Sequence, residues 1–182
     1  MTKILLILLA GVFTNNIVCH RCVGIDGGVL SSDTMRRSLF LGVFSTLSAL
    51  LCQAVCYPLY FFSLVRLGAD FLFTLLYTLI SAAIIFGAYR PSPFLVRQFD
   101  RKMLTVSCGI SLGMACLSAA AESYIFSLLS VVSYGLGLLV VLLVFYCVRL
   151  SLKEARVPQF LRGTPLDLII VSIIELVFLG LS

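Results

Sequence analysis

The chain has 182 residues, 61% of them hydrophobic and 12% charged, with a net charge of +5 and a mean hydropathy of +1.15. A water-soluble domain of this size is about half apolar and about a quarter charged, so that class is excluded. The positive balance does not point to nucleic acid either. The basic residues fall in short loops between apolar runs of about 20 residues, the length that crosses a hydrocarbon core of about 30 Å.

The first apolar run, from about Ile4 to Val23, starts like a secretory signal, with Lys3 ahead of Ile4 to Phe13. It has no small-x-small cleavage site before Asn15-Asn16, so it reads as a first membrane helix. Its second half carries Asn15, Asn16, Cys19, His20, Arg21 and Cys22. That is too polar for a plain lipid-facing helix and points to a broken or re-entrant one buried against neighbours. The glycine-rich Gly24-Ile25-Asp26-Gly27-Gly28 is expected to end any helix there.

A second span runs from about Ser38 to Leu64, led by Arg36-Arg37 and containing Pro58, and a third from about Ala69 to Tyr89. Arg90-Pro91-Ser92-Pro93 stops it, and a basic loop with Arg97, Arg101 and Lys102 follows. The fourth span, Met103 to about Ala121, is rich in small residues, among them Ser107, Gly109, Ser111, Gly113, Ala115 and Ser118. These permit close helix contact or a break. The fifth runs from about Tyr124 to Val148 and the sixth from about Leu166 to Leu181.

The expected fold is therefore all-α, one polytopic membrane domain over residues 1–182 with about six transmembrane helices. Residues 1–90 and 91–182 read as two inverted three-helix repeats, each opening on a broken, polar first helix. With six crossings, one side of the membrane holds Arg36, Arg37, Arg90, Arg97, Arg101, Lys102, Arg149, Lys153, Arg156 and Arg162, and the other holds Lys3 and Arg66. The richer side is cytoplasmic, which puts both termini outside.

Few residues carry chemistry. Cys19-His20-Arg21-Cys22 is a lone C-x-x-C without the second pair that zinc needs. Cys52, Cys56, Cys116 and Cys147 read as core packing. Cys108 opens the fourth span in Thr105-Val106-Ser107-Cys108-Gly109, the counterpart of the polar stretch in the first span if the halves are inverted copies. Glu175 lies among Ile173, Ile174, Leu176 and Val177. An intramembrane carboxylate faces a partner or a cavity, so Glu175 is either a paired glutamate at a contact or a site for an ion or proton. A hydrolytic Ser/His/Asp set and a phosphate loop are absent from the sequence.

Three segments in order resemble one family. Asn15-Asn16, Val18, Arg21 and Gly24 follow the opening NNxVxxxxLGLCP of the A-type member of the Rnf electron-transport complex, which is related to the E-type member of the sodium-pumping NADH:quinone reductase. Thr105 to Cys108 with Leu112-Gly113 follow its TTNCxxLG segment. Val157-Pro158, Arg162-Gly163 and Phe178-Leu179-Gly180 follow its VPxxxRG and AFMGF ending.

The resemblance implies a protein that relays electrons across a bacterial or archaeal cytoplasmic membrane, in an ion-translocating ferredoxin:NAD oxidoreductase. It implies a 2Fe-2S cluster shared with a homologous membrane subunit of opposite topology, and further partners carrying flavin and iron–sulfur centres. Thiolates are the usual ligands of such clusters. Cys108 falls on one ligand position. The other falls on Asp26, so either Asp26 binds iron through a carboxylate oxygen, or Cys22, one turn earlier, takes over, or this copy has lost the cluster. Glu175 is a second departure, at a position where the family has a small residue. Outside the resemblance, a small secondary transporter or a cluster-free structural paralogue would share the broken-helix pattern.

Overall fold

A computed structural model of the chain describes residues 8–12, 16–31, 34–60, 62, 72–90, 100–118, 123–153, 158 and 163–180. After a helical stretch at 8–12, the helices are α1 (Ile17–Arg21), α2 (Ile25–Ser31), α3 (Met35–Leu59), α4 (Phe73–Tyr89), α5 (Arg101–Ser118), α6 (Tyr124–Lys153) and α7 (Thr164–Leu179). Among the described residues the regular structure is all helical. Met35–Leu59 and Tyr124–Leu152 are long and apolar enough to cross a membrane, and Phe73–Tyr89 is a shorter apolar helix. The chain is a helical membrane protein. Arg66, Asp70, Arg97, Glu122, Arg156 and Arg162 lie outside the described residues, as does Lys3.

The first segment is broken, for a reason visible in its side chains. Asn16 is fully buried and sits where the helix is interrupted. Its Oδ1 accepts from the Val18 N–H at 3.0 Å and so caps α1. Its Nδ2 donates to the Val12 carbonyl at 2.9 Å and to the Gly137 carbonyl of α6 at 3.2 Å. One amide thus serves both sides of the gap and fastens it to α6, where no water is at hand to do so. α1 ends on Cys22, which takes the left-handed conformation (φ 55°, ψ 21°) and returns its N–H to the Ile17 carbonyl.

The expectation that Gly24 to Gly28 ends helical structure is corrected. The break falls at Cys22–Gly24, and a new helix starts at Ile25. Gly27 and Gly28 are buried inside it. A Cβ on Gly27 would stand 2.8 Å from Leu41 of α3 and 3.2 Å from Ile110 of α5, and one on Gly28 would touch Phe145 of α6. Close packing on three helices outweighs the roughly 1 kcal/mol that each glycine costs a helix. Gly24 is the position that needs glycine twice over: its φ is +97°, and a Cβ would meet Leu138 at 2.8 Å.

The second half does not repeat this break. α5 runs unbroken from Arg101 to Ser118, with neither proline nor an adjacent glycine pair. Its small residues serve close approach instead. A Cβ on Gly113 would stand 2.7 Å from Val23, and the Ser111 and Ser118 hydroxyls donate to carbonyls three residues back.

α3 and α6 form the central pair. A Cβ on Gly42 would fall 2.5 Å from Leu139, and one on Gly135 would overlap Thr46, so the two backbones approach closely. α4 packs on α3 and α5; α7 packs on α6, α1 and α2. Within α3, Pro58 has no N–H for the Ala54 carbonyl, and the Tyr124 hydroxyl of α6 donates to that carbonyl at 3.4 Å.

A buried chain of polar groups ties four helices. The Tyr77 hydroxyl donates to Gln53 Oε1 at 2.9 Å, Gln53 Nε2 donates to Ser127 Oγ, and Ser127 Oγ donates to the Ser118 carbonyl at 3.0 Å. Gln53 is 1% exposed, so each orphaned partner would cost about 1–3 kcal/mol. We expect Gln53→Ala to lower stability by about 3 kcal/mol and Tyr77→Phe by about 1 kcal/mol in reversible unfolding from mixed micelles. An unchanged transition in both variants would show that these bonds carry no weight.

Candidate functional site

The turn that ends α1 and the head of α2 face the middle of α5 across a cleft of about 400 Å³. One wall is Cys22, Val23, Gly24 and Asp26; the other is Thr105, Val106, Gly109 and Ile110. The two segments that the sequence singled out for polarity and small residues therefore meet. The donors they present to each other are unlike those expected.

Asp26 is exposed in the first turn of α2 and lines the cleft. Cys22, also exposed, lines the same wall, and its thiol donates to Glu175 Oε1 of α7 at 3.5 Å. Cys108 does not line the cleft. Its Sγ lies 3.4 Å from Ser81 Oγ of α4, on the flank of α5 that packs into the bundle. The residues of α5 that look into the cleft are Thr105, Val106, Gly109 and Ile110. Thr105 Oγ1 is bonded to the Lys102 carbonyl at 2.7 Å.

A shared 2Fe-2S cluster asks this chain for two soft ligands directed at one point. The side chains are arranged otherwise: Cys108 is engaged at α4 away from the cleft, Cys22 on the cleft wall is engaged by Glu175 of α7, and the cleft's other polar side chains are a carboxylate and a hydroxyl. Among the described residues, no three of His, Cys, Asp and Glu gather into a metal-binding group. These residues do not fit the cluster.

Glu175 is half-buried in α7 and has found a partner in Cys22. Beside it Val18, Cys19, Gly24, Gly28, Phe145 and Val171 help enclose a crevice of about 10 Å³, room for one water at most. Of the remaining cysteines, Cys52 and Cys56 are buried with their sulfurs 3.9 Å apart, beside Tyr77 and Ala115. Cys116 and Cys147 are exposed, which corrects their assignment to the core: both sit on outer helix faces.

Two contributors escaped the sequence reading. Ser81, the partner of Cys108, is one serine in an apolar span, and nothing in its surroundings marks it. Asp167 is 3% exposed in the first turn of α7, and its Oδ1 lies 3.3 Å from Arg149 Nε at the end of α6. Arg149 Nη1 also donates to the Val29 carbonyl of α2 at 3.2 Å. An acidic residue just inside the last span was the available signal, since a carboxylate near a helix N-terminus opposes the helix dipole.

No protein-family model matches the chain. It is 26% identical, over 98% of its length and 96% of the relative's, to the A-type component of the Na(+)-translocating ferredoxin:NAD(+) oxidoreductase complex of Acetobacterium woodii. It is 28% identical over its whole length to the A-type component of the ion-translocating oxidoreductase complex of Edwardsiella ictaluri, and equally to that of Azotobacter vinelandii, covering 97% of each. The similarity runs end to end, and all three relatives are the same component of ion-translocating oxidoreductase complexes.

Proposed function

We propose that this chain is the A-type membrane component of an ion-translocating ferredoxin:NAD oxidoreductase of the Rnf kind. The observation that carries this reading is the similarity, at 26–28% identity, to A-type components over practically the full length of both chains. The helical membrane architecture and the broken first segment held by Asn16 support it. The protein has two inverted repeats, residues 1–90 and 91–182. Their supporting observation is the exchange of contacts, in which α4 packs on α5 as α7 packs on α1 and α2.

It lies in a bacterial or archaeal cytoplasmic membrane with both termini outside. The support is the crowding of Arg36, Arg37, Arg90, Arg101, Lys102 and Arg149 at the ends of α3, α4, α5 and α6. Its partners are a homologous membrane subunit of opposite topology and further proteins carrying flavin and iron–sulfur centres. Ion movement belongs to the complex as a whole.

A tagged copy of the chain, extracted from its native membrane in mild detergent, is expected to bring down a homologous polytopic subunit together with flavin-containing and ferredoxin-like proteins. Recovery of the chain alone, or only with proteins that lack redox groups, would overturn the assignment.

A further inference from the structure

We infer that this chain contributes no ligands to an intramembrane iron–sulfur cluster. The inference rests on the A-type reading above, and on three side chains. At the position where the resemblance puts the first cluster cysteine stands Asp26, whose carboxylate is a hard oxygen donor on the cleft wall. Cys22, the nearest thiol that could replace it, takes a left-handed backbone at the end of α1 and donates its proton to Glu175 of α7. Turning Cys22 into a bound thiolate would remove that proton and leave sulfur facing the glutamate oxygen.

Cys108, the retained cysteine, points between α5 and α4 toward Ser81, while Thr105 and Gly109 occupy the cleft-facing side of its helix. At about 100° per residue, Thr105, Val106, Gly109 and Ile110 span an arc of about 140° on α5, and Cys108 falls outside it, on the side of α4. The cleft thus sets Asp26 and Cys22, whose thiol is engaged by Glu175, against Thr105, Gly109 and the apolar Val106 and Ile110. With a single thiol, already engaged, that set lacks the sulfur-rich surroundings of a 2Fe-2S centre. Glu175 belongs to the same change. Where the family has a small residue, this chain has a carboxylate that ties α7 to the turn and engages the thiol at Cys22.

The test uses the tagged chain with whatever copurifies, prepared anaerobically from native membranes as wild type, Cys108→Ser, Cys108→Ala and Cys22→Ser. Iron and acid-labile sulfide per tagged chain and the low-temperature paramagnetic resonance spectrum are read, with size-exclusion behaviour as the check on folding. All four proteins are expected to carry the same iron and the same spectrum. A loss of two irons and of a 2Fe-2S signal in a folded Cys108 or Cys22 variant would overturn the inference while leaving the A-type reading intact. Absence of redox partners from the preparation would instead defeat that reading; the iron bound to the chain itself would still decide the cluster question, because iron dependent on Cys108 overturns the inference in either case.

Discussion

Replacing Asp167 by alanine is expected to cost about 2–4 kcal/mol of stability. Asp167 is 3% exposed, and Arg149, partly exposed, is held between it and the Val29 carbonyl, so the change leaves a half-buried guanidinium with one neutral acceptor. Breaking a buried pair by removing one partner costs in this range, because the remaining charge keeps its desolvation penalty and loses its counter-charge. The same reasoning gives an outcome that a simple loss of contact would not. The double variant Arg149→Met with Asp167→Leu removes both charges and is expected to recover most of the loss, since well-packed apolar replacements of a buried pair are often neutral. Unfolding in mixed micelles measures both. A cost below about 1 kcal/mol for Asp167→Ala would mean the pair behaves as a solvated surface bridge and does not hold α2, α6 and α7 together.

Asn16→Leu is expected to cost about 3 kcal/mol and to loosen the first segment specifically. The variant loses the cap on α1, worth about 1 kcal/mol, and strands the Val12 and Gly137 carbonyls in a buried site at about 1 kcal/mol each. Asn16→Ser keeps an oxygen for the Val18 N–H but no donor long enough for Gly137, so about half the loss is expected. Hydrogen exchange locates the effect. Amides from Ile17 to Val23 should exchange faster in Asn16→Leu while those in the middle of α3 stay protected. Uniform acceleration across the chain, or no change around Cys22, would show that the amide does not hold the break.

Composition and charge sufficed for the class of this protein. Hydropathy that high over 182 residues cannot be hidden inside a single soluble domain, so spans of lipid-crossing length were legible directly, and the two helices long and apolar enough to cross, Met35–Leu59 and Tyr124–Leu152, lie within about five residues of the expected second and fifth spans. The polarity of Asn15 to Cys22 also announced a broken segment, because backbone freed within a membrane must be satisfied by nearby side chains.

What the linear pattern could not reveal is which way each side chain turns once the helices pack. Gly24 to Gly28 read as a helix stop. Only the neighbours Leu41, Ile110, Leu142 and Phe145 make a helix of Ile25–Ser31, by filling the space a Cβ would need. Cys108 matched its motif by position, yet its sulfur lies against Ser81, since the rotation of α5 is set by the helices on both of its flanks and not by the residues of α5 alone. Glu175 and Cys22 stand 153 residues apart in sequence, and their bond exists only because α7 is laid across the end of α1. Membership in a bilayer was decided by the sum of side-chain transfer free energies, which needs no coordinates. The donor set of the cleft was decided by long-range packing, because a thiol's direction is a property of the assembled bundle.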